Sequence, residues 1–167
     1  GVQALAVETD LRKENSIADL MAGVEEVFGR LDILINMASV YLETPLEDLS
    51  AISGNEGDPW RENMDVHLNA AYRLSLLAAP LMRKNGGGRI VHFADWTSAS
   101  GRPRYGSRLP YYVFKMGVKG LTEALALELA PHILVNSVAP GPILPPEGLS
   151  PEQAEEVIKN TPLKRWG

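Results

Sequence analysis

The residues whose types and spacing could carry out proton chemistry are Tyr111 and Lys115, four positions apart. On a helix this spacing places a phenol and an ammonium on one face, one turn apart. Their ordinary pKa values, about 10 and about 10.4, make neither group a useful acid or base alone at neutral pH. A nearby ammonium stabilises the phenolate and makes the tyrosine a better proton donor. Because the same spacing also arises by chance on many helices, the surrounding elements must decide.

The composition restricts the kinds of function that the chain can have. Its 167 residues are 45% hydrophobic and 22% charged, which is typical of one soluble globular domain. The net charge is −5 and Lys and Arg form no run, so nucleic acid and anionic membranes are not expected partners. There is no cysteine, which excludes disulfides, thiolate metal sites and cysteine nucleophiles. With no apolar stretch of membrane-spanning length and no signal peptide, we expect a cytoplasmic protein.

The first third of the chain predicts a strand, a helix and a second strand. Residues 4–10 have the pattern of a short strand that ends on an acid. Ser16 has the form of a helix cap, apolar residues then recur at helical spacing, and Gly29 ends the helix. Residues 31–36 are almost continuously apolar, as in a strand buried on both faces. We therefore expect a parallel βαβ unit with a right-handed crossover.

The remaining elements continue the alternation of strands and helices. The predicted order is a short helix and polar loop over 43–58, a long helix over 60–84, a strand over 89–95, a loop over 96–109, a helix from about 110 to 129, a strand over 133–138 and a last helix over 151–160. The long helix is apolar nearly all round, which suggests that it packs on both a sheet and a partner subunit. The fold prediction is an open, doubly wound parallel α/β sheet with helices on both faces, formed by one domain over 1–167.

Polar and small residues lie where the predicted strands end. They are Asp10, the segment 36–39, Asp95 and the Pro140-Gly141 turn. The carboxyl ends of parallel strands meet at one edge of the sheet, and ligands of such folds bind in the crevice beyond that edge. Tyr111 and Lys115 follow the third of these ends, so the sequence places the proton donor at the same crevice.

Four motifs in this order resemble the short-chain dehydrogenase/reductase family from about residue 4 to the end. Residues 31–39 look like its D-x-L-x-N-N-A-G strand, and Tyr111 with Lys115 looks like its Y-x-x-x-K pair. Residues 135–141 are similar to its R-V-N-x-I-x-P-G segment, and residues 161–167 to its P-L-x-R-x-G stretch. Each motif is weak alone, but four in the family's order are a specific signal.

The resemblance implies a Rossmann-like fold and hydride transfer from a nicotinamide cofactor, which we expect to be NADP, with NAD possible. Tyr111 would protonate the substrate atom next to the carbon that receives hydride, and Lys115 would hold the nicotinamide ribose and lower the tyrosine pKa. The implied cofactor-binding residues are Asp10 and Leu11 at the adenine, Asn36, Ala38 and Ser39 along the cofactor edge, and Pro140, Gly141 and Ile143 beside the nicotinamide. The substrate would be a small molecule, and the protein a dimer or tetramer through its two long helices.

The chain departs from the family at the residue that is usually a serine, where it has Asp95. Thr97, Ser98 and Ser100 follow and could supply the hydroxyl, although the strand register favours Asp95. A carboxylate disfavours the developing alkoxide of a ketone reduction, and it also raises the pKa of a nearby phenol. It suits a C=N bond, whose nitrogen gains a proton. Alternatively, Asp95 is only a strand-end cap or an ion-pair partner of Arg102, Arg104 or Arg108.

Two further departures point to one branch of the family. His67 stands where the long helix usually has Asn, with Asn69 two positions later, and Ser39 replaces a usual Gly. Together with Asp95, these residues look most like the pteridine reductase and dihydromonapterin reductase branch. His67 could extend a proton relay behind Lys115 or be satisfied by local hydrogen bonds, and we favour the second.

Other polar and aromatic residues are expected to be structural. His92 alternates along a strand and His132 follows a helix, so no metal site is expected. Trp96, Tyr105 and Tyr112 could stack on a flat heterocycle, or they could pack in loops and core.

The family's glycine-rich phosphate loop, T-G-x-x-x-G-x-G, does not occur in these 167 residues. It is expected to precede residue 1, so the domain would begin near the third strand, and the family's last strand would follow residue 167. We favour an omitted segment over natural shortening. The alternatives to a pteridine reductase are therefore a carbonyl or 3-oxoacyl reductase that uses Thr97 or Ser98, and a non-catalytic remnant that serves as an oligomer partner.

Overall fold

The computed structural model describes residues 1–44, 57–100, 106–145 and 148–167, which form a parallel sheet packed against helices. The elements are α1 (Glu14–Phe28), β1 (Ile33–Asn36), α2 (Pro59–Asn63), a π-helical turn (Met64–Asn69), α3 (Ala70–Lys84), β2 (Gly88–Phe93), α4 (Trp96–Ser100), α5 (Leu109–Leu129), β3 (Ile133–Val138) and α6 (Pro151–Asn160). The strands lie in the order β1-β2-β3, with Asn36 opposite His92 and His92 opposite Ser137. Because all strands are parallel, their carboxyl ends share one edge, as predicted.

One face of this sheet carries the hydrophobic core. Ile90 of β2 and Ile133 of β3 are fully buried in a cluster with Ile17 of α1 and with Ala78 and Met82 of α3. The helix α5 joins the same cluster near its carboxyl end. The side chains that alternate with these, Ile33, Ile35 and Leu134, lie on the opposite face and are about half exposed. The period-2 alternation of the strands thus separates a helix-covered face from an open one.

The predicted long helix of residues 60–84 is present but contains an internal π-helical turn. Asp58 caps its start by accepting a hydrogen bond from the Trp60 N–H at 2.8 Å. Six residues, Met64–Asn69, then form the π-helical turn before α3 begins. Such turns insert one extra residue into a helix and often occur at functional sites. This turn carries His67. Among the residues that the structure describes, no helix combines the length and apolarity needed to cross a bilayer.

The helix α5 and the strand β3 occur where the sequence predicts them. Helix α5 begins at Leu109 with Pro110 in its first turn, where a missing N–H costs nothing, and it ends at Leu129. Gly29 ends α1 in the left-handed conformation, with φ of 65°. The βαβ unit predicted for the first third of the chain is not formed, because no strand precedes α1 in the described residues. Parallel βαβ units are formed instead by α3 between β1 and β2 and by α5 between β2 and β3.

Four predictions about individual elements are wrong. Residues 4–10 form no strand, because a strand requires a hydrogen-bonded neighbour and this segment has no ladder partner in the described part of the chain. Ser16 does not cap α1, which begins earlier; its Oγ accepts a hydrogen bond from the Asp10 N–H at 2.9 Å. Strand β2 ends at Phe93 instead of residue 95, and residues 96–100 are helical instead of a loop.

Some predictions fall on residues that the structure does not describe. Most of the predicted segment 43–58 lies there, together with Tyr105 and with Arg102 and Arg104, which were named as possible partners of Asp95.

Candidate active site at the carboxyl edge of the sheet

The amino-terminal half of α5 brings Tyr111 and Lys115 to the carboxyl edge of β2. The Lys115 side chain is only 4% exposed, and its Nζ donates a hydrogen bond to the Phe93 carbonyl oxygen at 2.8 Å. The same nitrogen lies 5.6 Å from the centre of the Tyr111 ring. The helical spacing therefore places the ammonium behind the phenol, and its bond to the last residue of β2 fixes its position.

Asp95 lies two residues beyond β2 and contacts the phenol directly. The Tyr111 hydroxyl donates a hydrogen bond to Asp95 Oδ2 at 3.2 Å. The other carboxylate oxygen, Oδ1, accepts from the Thr97 N–H at 2.8 Å and from the Thr97 hydroxyl at 2.6 Å. The interpretation of Asp95 as a cap is thus correct for one oxygen, while the second oxygen faces the tyrosine. The structure brings together all three predicted catalytic residues.

The hydroxyls of Thr97 and Ser98 are committed to the turn that begins α4. The Thr97 hydroxyl donates to Asp95 Oδ1, and the Ser98 hydroxyl donates to the Asp95 carbonyl oxygen at 2.7 Å. Both residues are almost completely buried. Each hydroxyl has one proton to donate, so in this arrangement neither can also donate to a substrate oxygen.

Burial of the site shifts the ionisation of its basic groups. Burial lowers the pKa of the Lys115 ammonium to about 8, and the nearby Asp95 carboxylate opposes that shift. Burial, together with the positive charge of Lys115, lowers the pKa of His67 to about 3. At neutral pH His67 is therefore an uncharged imidazole, while Lys115 remains mostly protonated.

His67 binds the loop that follows β1. Its Nε2 accepts a hydrogen bond from the Val40 N–H at 3.2 Å and lies 2.9 Å from Ser39 Oγ. Because Nε2 is an acceptor, the neutral ring carries its proton on Nδ1, which is buried and has no hydrogen-bond partner among the residues that the structure describes. The ring packs edge-on to Tyr111 with 5.5 Å between centroids. This geometry favours the local role predicted for His67. Asn69 donates to Asp65 Oδ1 at 2.7 Å.

His92 closes a second buried polar network across β1 and β2. Its Nδ1 lies 3.0 Å from Asn36 Nδ2, and its Nε2 lies 3.5 Å from Ser75 Oγ. Asn36 Nδ2 can only donate, and the Ser75 hydroxyl donates to the Ala71 carbonyl, so the imidazole accepts at Nδ1 and donates from Nε2. Burial lowers its pKa to about 4. The described residues contain no group of three or more His, Asp or Glu that could hold a metal ion.

Four of the predicted cofactor-binding residues line one cavity of about 260 Å³. They are Leu11, Asn36, Ala38 and Lys115, and the remaining lining is mainly apolar. Asp10 and Ser39 are not among its lining residues. The Asp10 carboxylate accepts two hydrogen bonds from the Arg12 guanidinium, which holds its pKa well below its usual range, and Ser39 contacts His67.

The turn after β3 lies beside the start of α4. The Pro140 carbonyl oxygen accepts a hydrogen bond from the Trp96 N–H at 3.2 Å. Gly141 and Trp96 line a second cavity, of about 550 Å³, whose other wall includes residues of α6. Ile143 is half exposed and lines neither cavity. Pro140 and Gly141 thus lie near Asp95, but the structure does not bring Ile143 to the same place.

Two residues at the site were not predicted from the sequence. Tyr41 packs edge-on against Tyr111 with 4.8 Å between ring centroids, and Arg108 lies over the Tyr41 ring at 4.0 Å. Arg108 was named only as an ion-pair partner of Asp95, and that assignment is wrong, because its guanidinium pairs with Glu43 at 2.9 Å. The available signal was positional: Tyr41 follows the β1 motif by two residues, and Arg108 directly precedes α5.

Comparison with known proteins identifies the family. The family model of short chain dehydrogenases matches residues 1–156. The chain belongs to the short-chain dehydrogenase family. A D-beta-hydroxybutyrate dehydrogenase of Rhizobium meliloti is 36% identical over 165 residues, which is 93% of this chain and 60% of that protein. A putative ketoacyl reductase of Streptomyces violaceoruber, from granaticin polyketide synthase, is 33% identical over 98% of this chain and 65% of its own length.

Solved structures of this family have the same fold. A putative oxidoreductase of Escherichia coli matches with a TM-score of 0.79 and 31% identity, over 99% of this chain and 63% of that one. Alternative dihydrofolate reductase 1 (FolM) of Brucella canis, solved in complex with NADP, matches with a TM-score of 0.80 and 27% identity over 97% of this chain. These matches confirm the predicted Rossmann-like α/β class. This short-chain dehydrogenase spans under two thirds of the length of each of these proteins.

Proposed function

We propose that this chain is the catalytic part of an NAD(P)H-dependent reductase whose substrate is a C=N bond of a flat heterocycle such as a pteridine. The observation that carries the proposal is the Asp95 carboxylate, whose Oδ2 accepts the hydrogen bond of the Tyr111 hydroxyl. A carboxylate at this position, next to the proton donor, suits the formation of an N–H group better than the formation of an alkoxide.

The hydroxyls near Asp95 support the same choice of substrate. A ketone reductase of this family would need a neutral donor for the developing oxyanion, and the alternative reading assigned that role to Thr97 or Ser98. Both hydroxyls donate to Asp95 in this structure. Using either one for a substrate would give up one of the two hydrogen bonds that its acceptor on Asp95 receives, because Oδ1 keeps the Thr97 N–H and the carbonyl oxygen keeps the Ala99 N–H. The loss of one such hydrogen bond costs about 0.5–1.5 kcal/mol.

The donor set of Lys115 fits the cofactor. An ammonium has three protons, and one of them is used by the Phe93 carbonyl oxygen, so two remain for the hydroxyls of a nicotinamide ribose. When bound, NADPH supplies the hydride. We propose NADP over NAD because the FolM structure was solved with NADP. Leu11, Asn36, Ala38 and Lys115 would lie along it, since they line one cavity.

The proton chemistry follows from the contacts. Tyr111 gives its proton to the substrate nitrogen as the neighbouring carbon gains hydride, and the positive charge of Lys115 stabilises the resulting phenolate. Asp95 accepts a hydrogen bond from an N–H or amino group of the heterocycle other than the reacting nitrogen, which stays unprotonated until Tyr111 transfers its proton. The electrons and the proton then balance: C=N becomes CH–NH, and a proton from solvent restores Tyr111.

The Asp95→Ser variant tests the substrate assignment. We expect it to lose about 100-fold or more in turnover of a dihydropterin, while turnover of a 3-oxoacyl thioester stays the same or rises. Asp95→Asn is the matched control: it keeps the acceptor for the Thr97 N–H but removes the charge, so it should lose the same activity without unfolding. If dihydropterin turnover survives or rises in Asp95→Ser, the carboxylate proposal is wrong and the ketoacyl reductase, favoured by the name of the Streptomyces relative, replaces it.

We also propose that the protein is a cytoplasmic homo-oligomer. Half-exposed apolar residues lie on the two long helices: Tyr72, Leu76 and Leu77 on α3, and Val113 and Met116 on α5. Sedimentation velocity would detect the oligomer, and a monomer at micromolar concentration would contradict it. Titration with NADPH addresses the alternative of a non-catalytic oligomer partner, which predicts no binding by the native protein.

A further inference from the structure

We propose that Arg108 is a positioning residue, which holds Tyr41 against the catalytic Tyr111 and so fixes the orientation of the proton donor. The inference rests on the proposed role of Tyr111. It adds a function for the segment after β1, residues 39–44, and for the residue that precedes α5. Arg108 acts on Tyr111 through Tyr41, whose ring contacts both the Arg108 guanidinium and the Tyr111 ring.

The Arg108 guanidinium lies over the face of the Tyr41 ring. Its Cζ lies 4.0 Å from the centre of the Tyr41 ring, within the distance at which a cation attracts a π face. Its Nη2 donates to Glu43 Oε1 at 2.9 Å, two residues further along the same segment. The Arg108 side chain is only 16% exposed, so this cation is largely removed from water. A guanidinium can stack and donate in its own plane at once, which a lysine cannot do.

The segment is held at both ends as well as at its centre. At one end the Val40 N–H donates to His67 Nε2, and at the other the Thr44 N–H donates to the Ser107 carbonyl oxygen at 2.7 Å. Between these bonds the Tyr41 ring packs edge-on against Tyr111, with an angle of 82° between the ring planes. Tyr41 is 45% exposed, so burial alone does not fix it, and the guanidinium supplies a stabilising contact.

Loss of the Arg108 contact should lower the rate of the reaction and leave substrate binding nearly unchanged. A proton donor must be within hydrogen-bond reach of its target in a narrow range of orientations, and small misplacements cost large factors in rate. With Arg108 removed, Tyr41 can leave Tyr111 and the phenol gains freedom to turn. We therefore expect a lower kcat with a nearly unchanged KM.

The first test compares Arg108→Met with Arg83→Met, a matched change at an exposed arginine on α3. In the native protein, Arg108→Met should lower kcat about tenfold, change KM less than twofold and leave the thermal unfolding midpoint within about 2 °C, and Arg83→Met should change none of the three. Arg108→Lys should recover little of the loss. A tenfold rise in KM with kcat unchanged would overturn the proposal, because it would place Arg108 at the substrate.

The second test is a double-mutant cycle with Tyr41. Tyr41→Phe keeps the ring and should retain most of the activity, while Tyr41→Ala should lose as much as Arg108→Met. Because both residues act as one unit, Arg108→Met should then have no further effect in the Tyr41→Ala background. An undiminished tenfold effect in that background would refute a role through Tyr41.

The third test does not depend on the reaction, and it separates this inference from the proposed function. Nuclear Overhauser contacts between the Tyr41 and Tyr111 rings, measured with ring-labelled tyrosine, should be present in the wild type and in Arg83→Met and lost in Arg108→Met. If the protein reduces no pterin but these contacts depend on Arg108, only the proposed function fails. If the contacts persist in Arg108→Met, the positioning role is wrong.

Discussion

Replacing Lys115 with Met should stabilise the protein while abolishing its activity. The folded state lowers the pKa of Lys115 from 10.5 to about 8, mainly by burial, so the buried ammonium is held at a cost. At about 1.36 kcal/mol per pH unit, the difference corresponds to about 3 kcal/mol at pH 7. Removing the ammonium also leaves the Phe93 carbonyl without its hydrogen bond, which costs about 1 kcal/mol. The expected net gain is about 2 kcal/mol in the free energy of unfolding.

The pH dependence of this gain has a definite sign. Below pH 8 both folded and unfolded Lys115 are protonated, so the wild type carries the full penalty and the variant has its full advantage. Between about pH 8 and pH 10.5 only the unfolded chain holds the proton, so the wild type gains stability as pH rises and the advantage shrinks. Above pH 10.5 both states are neutral and the penalty is gone.

Urea unfolding of the wild type and Lys115→Met at pH 7, 8, 9 and 10 measures the effect. The control is Lys119→Met, one turn further along α5, where an exposed lysine pairs with Glu123 and a change below about 0.5 kcal/mol is expected. The burial argument is refuted if Lys115→Met is less stable than the wild type at pH 7, or if the difference between them does not decline toward pH 10.

Two further changes test the polar and backbone features of the fold. Burial lowers the pKa of His92 from 6.5 to about 4. As the pH falls from 6.5 to 4, the free energy of unfolding of the wild type, measured with urea, should therefore decrease by about 3 kcal/mol more than that of His92→Gln. Equal decreases would show that His92 is not a buried neutral imidazole. Gly87→Ala should destabilise the protein by about 3 kcal/mol or more, because a Cβ there would lie 2.2 Å from the His132 carbonyl oxygen. Gly86 also has a positive φ but has open space around it, so Gly86→Ala should cost about 1 kcal/mol in the same assay.

The elements that were predicted well from the sequence are those whose conformation is determined by their own residues. Helix α5 has its proline at the start and helical apolar spacing to Leu129, and β3 is a short segment rich in β-branched residues. Both were predicted at the positions observed. Residues 4–10 have an equally good strand pattern but no neighbouring strand among the described residues, and pairing is a property of the fold. Helix α4 was missed because five residues with two serines resemble a loop unless the cap at Asp95 is recognised.

The residues of the candidate site also differ in how far the sequence predicts them. Tyr111, Lys115 and Asp95 were predicted because their positions follow from helical spacing and from the end of a strand. Tyr41 and Arg108 were missed because their contact joins two connecting segments, and no spacing rule relates residues 67 positions apart.

The orientation of Asp95 shows how a local structural device fixes a functional group. Thr97 holds one carboxylate oxygen with two hydrogen bonds, which is an ordinary helix cap, and this leaves the other oxygen directed at the Tyr111 hydroxyl. The capping interaction is therefore also the positioning interaction, and weakening the cap should disturb the proton donor. Lys115 is the opposite case, since its burial opposes stability and no local rule favours it. Because the burial of Lys115 destabilises the fold, the presence of this residue is best explained by its function.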